Sequence, residues 1–279
     1  MSFYKAYVHR LLKGNNSIPV DLKAVASSNN IFLREDDSEG YSGMLLVVDD
    51  MALISVKSSI LESTRKRFTI AHEMGHFTLP DHITKERTSF QCSEGDLNNF
   101  RKNKNKESEA NQFAAELLMP EDAFQKRVML SDPSKDLLYS LAQEFDTSLT
   151  ATCIRLVNFK TDYALVCSEN GRVKWFYRGE EFPFYLNTEI GSPLHPSSFA
   201  SVYFKTGRPA EEFYEVPAES WIDDSRHRNS ASLMEMTLGL PGYNQTLSFL
   251  YVNGNTEYGN DEDEDDGYGE ELTGYPRFK

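Results

Sequence analysis

Apolar and polar positions along the chain change period several times, and each change marks an element. Residues 1 to 13 alternate apolar and basic residues at roughly helical spacing. Asp21 follows Ile18-Pro19-Val20 and stands just before Leu22 and Val25, which predicts a short helix capped by Asp21. Three strand-like runs follow, over 31–34, 43–48 and 51–56, with Asp49-Asp50 between the last two as a tight turn. From Leu61 to Leu79 no Pro interrupts the chain, and Phe68, Ala71, Gly75 and Thr78 recur at the spacing of one helix face. Pro80 ends that helix. Residues 80–105 are polar and read as an irregular loop rimming a cleft.

Residues 107–119 are rich in Ala, Glu and Leu and stop at Pro120, the signature of a strong helix. A further helix is predicted over 121–129. Two more, over 137–148 and 149–157, flank a short turn in a helix-turn-helix-like pattern. The second of these offers only Arg155 and nearby Lys160 as bases, which favours a packed helical pair over a DNA reader. Beyond 160 the texture becomes strand-like, with runs at 163–168, 173–177, 201–204 and 246–252 separated by Gly, Pro and Asn turns. The expected division is a first domain over 1–130, a helical segment over 131–160, a mixed domain over 161–255 and a tail over 256–279.

Composition adjusts this picture in three places. The net charge is −14, but residues 257–271 hold nine acids and no bases; without them the balance is 34 acids to 29 bases. The body is therefore only mildly acidic, the tail is expected to be disordered, and direct DNA binding is not expected. Three cysteines, Cys92, Cys153 and Cys167, lack C-x-x-C spacing, which argues against a disulfide framework and against a thiolate zinc site. The sequence has no signal-peptide h-region and no membrane span, so a cytoplasmic setting is expected.

The chemistry lies in Arg67-Phe68-Thr69-Ile70-Ala71-His72-Glu73-Met74-Gly75-His76-Phe77. This is H-E-x-x-H on a helix. His72 and His76, one turn apart, can aim imidazole nitrogens at one ion, and Glu73 beside them can take a proton from metal-bound water, the arrangement of a zinc peptidase. One catalytic Zn2+ needs a third protein donor. His82 has the spacing of a longer three-histidine pattern, but Leu79 stands where that pattern needs Gly. Glu107 is the better candidate, with Asn111 one turn later placed to accept a hydrogen bond from a ligating histidine. Glu109 and Glu116 are expected to point elsewhere and to be solvated. Tyr41, His82 and Arg65 are open candidates for an oxyanion donor.

Taken together, Arg-Phe-Thr-Ile-Ala-His-Glu-Met-Gly-His and Glu-x-x-Ala-Asn-x-Phe-Ala-Ala-Glu-Leu-Leu-Met-Pro resemble the ImmA/IrrE metallopeptidase family. The similarity takes in the Pro19–Leu22 helix start and the 43–56 hairpin, and so spans roughly residues 15–158. It implies an α+β fold: a zincin-like, thermolysin-like helical core with a small N-terminal antiparallel sheet, then the helix-turn-helix-like helices. The strands beyond, with Trp175, Trp221 and Tyr243, are similar to a GAF- or PAS-like mixed α/β domain, which implies a small-molecule effector. The resemblance carries His72, His76 and Glu107 over as zinc ligands and Glu73 as general base. It further implies cleavage of a helix-turn-helix transcriptional repressor, releasing stress-response or mobile-element genes. The competing expectation is a non-catalytic sensor or binding protein on a zincin scaffold, acting through its C-terminal domain.

Overall fold

The computed structural model describes residues 3–37, 40–84, 88–93, 106–222 and 232–253. The acidic tail and most of the stretch read as a polar loop, 85–87 and 94–105, lie outside the described residues. The fold is α+β and divides into two compact units, the first running through Arg155 and the second starting at Leu156.

In the first unit, α1 (Lys5–Leu12) and α2 (Leu22–Ser27) precede the strands β1 (Ile31–Asp36), β2 (Gly43–Val48) and β3 (Met51–Lys57). The Asp21 carboxylate caps α2, accepting from the backbone N–H of Lys23 and Ala24 at 3.0 Å each. Asp49 turns the β2–β3 hairpin with φ 53°, a left-handed conformation that Asp tolerates. The short strand β4 (Ser89–Cys92) completes a sheet of order β1-β3-β2-β4. The expected antiparallel pairing holds for β2 with β3 and with β4, while β1 runs parallel to β3.

Alternation sets the inner face of the sheet. Leu45, Val47, Ala52, Ile54 and Val56 are buried, whereas Leu46 and Val48 face outward. On the inner face lies α3 (Ser63–Thr78), whose Ala71, Met74 and Gly75 are buried with it. Across α3 packs α4 (Lys106–Leu118). After it come α5 (Glu121–Val128), α6 (Lys135–Phe145) and α7 (Leu149–Val157), close to their predicted bounds. Arg67 ties α3 to the α6–α7 turn, with an ion pair to the Asp146 carboxylate at 3.1 Å and a hydrogen bond to the Val20 carbonyl.

Two expectations are corrected here. Glu116 is not solvated: it is buried and accepts from the Arg155 guanidinium at 2.7 Å. Its partner lies 39 residues away on α7, so helix periodicity alone could not reveal it. The same contact buries one of the two bases that a DNA-reading α7 would have offered. The predicted strand at 201–204 is a helix, α8 (Phe199–Thr206) in the second unit. Its Val, Tyr and Phe favour a strand locally, but the Ser198 hydroxyl caps the N-terminus and Gly207, at φ 70°, closes the C-terminus.

The second unit is a five-stranded antiparallel sheet of order β6-β5-β9-β8-β7, comprising β5 (Ala164–Glu169), β6 (Arg172–Arg178), β7 (Tyr214–Val216), β8 (Ser232–Leu240) and β9 (Gln245–Asn253). Ala164, Val166, Val173, Phe182, Trp221, Leu233 and Leu250 form its core. A fully buried carboxylate, Glu235 on β8, is held by five donors: the backbone N–H groups of Phe199 and Ala200, the Trp221 indole, and the Thr237 and Ser248 hydroxyls, at 2.8–3.1 Å. These contacts pin the first turn of α8 and a core tryptophan to the sheet.

Candidate metal centre

The site is built where α3 and α4 cross. Gly75 makes the close approach possible: a Cβ there would lie 3.1 Å from the Ala110 Cα and 3.1 Å from Phe113 Cδ1. One turn either way along this crossing, polar side chains of the two helices meet in a largely buried space, with Glu107 partly exposed at its edge. His72, Glu73, His76 and Asn111 are all fully buried.

His72 Nε2 and His76 Nε2 are 3.0 Å apart, and Glu107 Oε2 lies 3.2 Å from the first and 3.3 Å from the second. The outward nitrogens are also engaged. His72 Nδ1 lies 2.8 Å from Asn111 Oδ1. His76 Nδ1 lies 2.9 Å from His82 Nδ1, and His82 Nε2 is 2.9 Å from Glu109 Oε2. With Nδ1–H of His72 donating to Asn111 and Nδ1–H of His76 donating to His82, both Nε2 atoms present lone pairs to the cluster. His82 then donates its Nε2–H to Glu109, so one consistent set of tautomers runs through the whole chain of contacts. Phe90 on β4 stacks on the His76 ring, with centroids 4.2 Å apart, and fixes its plane.

Electrostatics act in the same sense. Burial pushes the His76 pKa down to about 4, and pushes His82 down as well. Burial alone would raise Glu107, but when a proton sits on the Nε2 of His72 or His76 in place of an ion, its hydrogen bond to Glu107 holds that carboxyl well below the usual carboxylate range. Near neutral pH the cluster is therefore a neutral imidazole at His76 facing a carboxylate, both rich in lone pairs.

Glu73 projects from the same turn as His72. The backbone of β2 passes directly against it: a Cβ on Gly43 would lie 2.6 Å from Glu73 Oε1 and 2.5 Å from Thr69 Cγ2. Only glycine fits there, and its closeness confines the Glu73 carboxylate.

Sequence reasoning overlooked Cys92. It stands at the end of β4, opposite Gly43 in the β2 register, and is fully buried. Its sulfur lies 3.7 Å from His76 Nε2 and 3.6 Å from Glu107 Oε2. The case against a thiolate donor rested on missing C-x-x-C spacing, whereas pairing in the sheet brings this thiol to the cluster. Glu109, expected to be solvated, instead pairs with His82 and is only part-exposed. His82 lies behind His76 rather than beside the Nε2 atoms. Among the oxyanion candidates, the Tyr41 hydroxyl donates to the Asp36 carboxylate at 2.9 Å, and Arg65 is half-buried on α3, its carbonyl accepting from the Thr69 hydroxyl.

The donor set suits a metal. Ligand atoms of His72, His76, Cys92 and Glu107 all lie within 4.8 Å of one another. A tetrahedron with bonds of about 2.0–2.3 Å has ligand–ligand edges of about 3.3–3.8 Å, and zinc favours this mix of nitrogen, oxygen and sulfur donors. The separations of 3.0–3.7 Å quoted above fall near that range. No helix of the described residues is long and apolar enough to cross a membrane.

Comparison with curated proteins finds no match. A solved structure of a Mycobacterium tuberculosis transcriptional regulator shares the fold, with a TM-score of 0.53 and 13% identity, the match covering 89% of this chain and 75% of that one. Residues 26–157 match the family model described as the IrrE N-terminal-like domain, a metallopeptidase kind. That span holds α3, α4, β4 and every residue of the cluster, so the metal centre lies wholly within the part of the chain that is similar to the IrrE N-terminal-like domain.

Proposed function

We propose that the chain is a zinc-dependent endopeptidase that cuts a regulatory protein, a helix-turn-helix transcriptional repressor, and so releases the stress-response or mobile-element genes it holds. The observation that carries the reading is the convergence of His72 Nε2, His76 Nε2 and Glu107 Oε2 within 3.3 Å of one another, with Glu73 buried on the same turn. The identity of the substrate rests on the family resemblance.

In this reading His72, His76 and Glu107 would hold one Zn2+. When bound, the ion supplies a Lewis acid and brings the pKa of coordinated water towards about 7. The chain's own residues do the rest. Glu73 takes the proton of the attacking water and hands it to the leaving amine. Gly43 keeps the β2 backbone against that carboxylate, which leaves it little freedom to turn away from the reacting atoms. Asn111 and His82 hold the two imidazoles in the tautomer that leaves Nε2 a lone pair. Burial keeps the His76 imidazole unprotonated well below neutral pH.

The test is co-expression with a helix-turn-helix repressor encoded beside this chain. Glu73→Gln should keep its metal and lose about 10²- to 10⁴-fold in cleavage. Cleavage at the wild-type rate would remove Glu73 from the mechanism. One observation favours a second reading, a binding protein with a structural metal: Cys92 makes four protein donors, the count of a closed site. Metal-dependent cleavage of the repressor would exclude that reading.

A further inference from the structure

We infer that Cys92 is a displaceable fourth ligand, which closes the metal site at rest and must leave before a substrate carbonyl can enter. This rests on the metallopeptidase reading of the same cluster and adds its regulation.

Three facts bring Cys92 into the argument. Its sulfur is 3.6 Å from Glu107 Oε2 and 3.7 Å from His76 Nε2, separations that suit two edges of a tetrahedron, and all four donors, His72 included, lie within 4.8 Å of one another. It is fully buried, so the thiol faces the cluster rather than solvent. Its backbone is held in place, with the Cys92 carbonyl accepting from the Ser42 N–H at 2.8 Å and Cys92 opposite Gly43 in the sheet. Gly43 in turn touches Glu73. One strand end therefore sits over both the fourth coordination position and the general base.

Four protein ligands make a closed site, whereas catalysis needs an open position. The two requirements are reconciled by where the fourth donor stands. His72, His76 and Glu107 come from two helices locked together at Gly75. Cys92 comes from β4, a four-residue strand at the sheet edge paired only to β2 among the described residues. Among the described residues this edge strand is held by one sheet neighbour, whereas the other three donors stand on two helices packed against each other, so the thiol can be lost while the other three stay. On binding, the thiol gives its proton to solvent and the sulfur donates a lone pair. On release, the sulfur regains a proton from solvent, and no redox partner is required.

The experiment uses the full-length protein loaded with one equivalent of Co2+. The wild type should show sulfur-to-cobalt charge-transfer absorption in the near ultraviolet. Cys92→Ser and Cys92→Ala should lose that band while still binding one Co2+. Acetohydroxamate, which needs an open position, should bind the cobalt form of either variant at least about tenfold more tightly than the wild type. Stoichiometric Co2+ without the band in the wild type would overturn the inference and leave the metallopeptidase reading standing. The band with unchanged acetohydroxamate affinity would make Cys92 a ligand that does not gate the site, and would also overturn it. Failure to bind Co2+ at all would overturn both.

Discussion

Glu235 in the second unit is a fully buried carboxylate and Glu107 in the first a partly exposed one, and their neighbours differ in kind. Glu235 receives five hydrogen bonds from backbone, indole and hydroxyl donors. Its charge is answered entirely by protein groups, and what it secures is architecture: the start of α8 and the seat of Trp221. Glu107 faces two imidazole nitrogens whose outward protons are already committed to Asn111 and His82, and a cysteine sulfur. In the tautomers set by Asn111 and His82, nitrogen lone pairs face the carboxylate, and the Cys92 thiol donates to it. A carboxylate ringed by donors stabilises a fold, while one that shares its site with imidazole nitrogens and a thiol suits a cation.

The sharpest way to break this contrast is to exchange charge for neutrality at each place. Glu235→Ala should cost the second unit about 3–5 kcal/mol, because five buried donors lose their acceptor, and should leave metal content unchanged. Urea unfolding monitored by tryptophan fluorescence, alongside metal analysis, reads both effects. If Glu235→Ala lost metal instead, the two carboxylates would not have separate roles.

The second effect is a pH dependence of the metal-free protein. Burial lowers His76 from 6.5 to about 4, so between those values the unfolded chain binds the proton that the folded chain refuses. Stability should fall as pH drops from about 6.5 to about 4, with this group contributing up to about 3 kcal/mol, and should be flat with respect to it above 6.5. Denaturant titrations in chelator at several pH values measure this. A stability that held steady from pH 6.5 to 4 would mean that His76 is already solvated without metal.

A third change tests the helix crossing. Gly75→Val should push α4 off α3, costing about 1–3 kcal/mol, and should weaken metal binding because Glu107 retreats from the histidines. The smallest expected effect is at the far end of the histidine chain. Glu109→Gln should lower zinc affinity about 10- to 100-fold by loosening His82, and through it His76, without changing the fold. Chelator competition measures this, and an unchanged affinity would make the His82–Glu109 pair a matter of packing alone.

What the sequence made legible follows the range of the interactions involved. His72, Glu73 and His76, and the pairing of Glu107 with Asn111, are spacings within one helix, so periodicity exposes them. The β2–β3 hairpin and the Asp21 cap are equally local. Cys92 lies 16 positions beyond His76, and the pairing of β4 with β2 brings it close, so no spacing rule could place it. Glu116 was misread for the same reason, its partner Arg155 being on another helix. The strand β8 went unread because Glu235, an inward-facing charge, interrupts its apolar alternation; its five partners come from β8, β9, α8 and the segment around Trp221. At α8 two local signals conflicted, and the caps at Ser198 and Gly207 prevailed over side chains that favour strands.

The donors of His72, His76, Cys92 and Glu107, gathered where α3 and α4 cross, could hold a metal ion. Metal analysis of the full-length protein and of Glu107→Gln tests it most directly. One zinc per chain is expected in the wild type, and at least about a hundredfold weaker binding in Glu107→Gln, with the second unit equally stable in both. A wild type without zinc, or zinc held equally by both proteins, would contradict it.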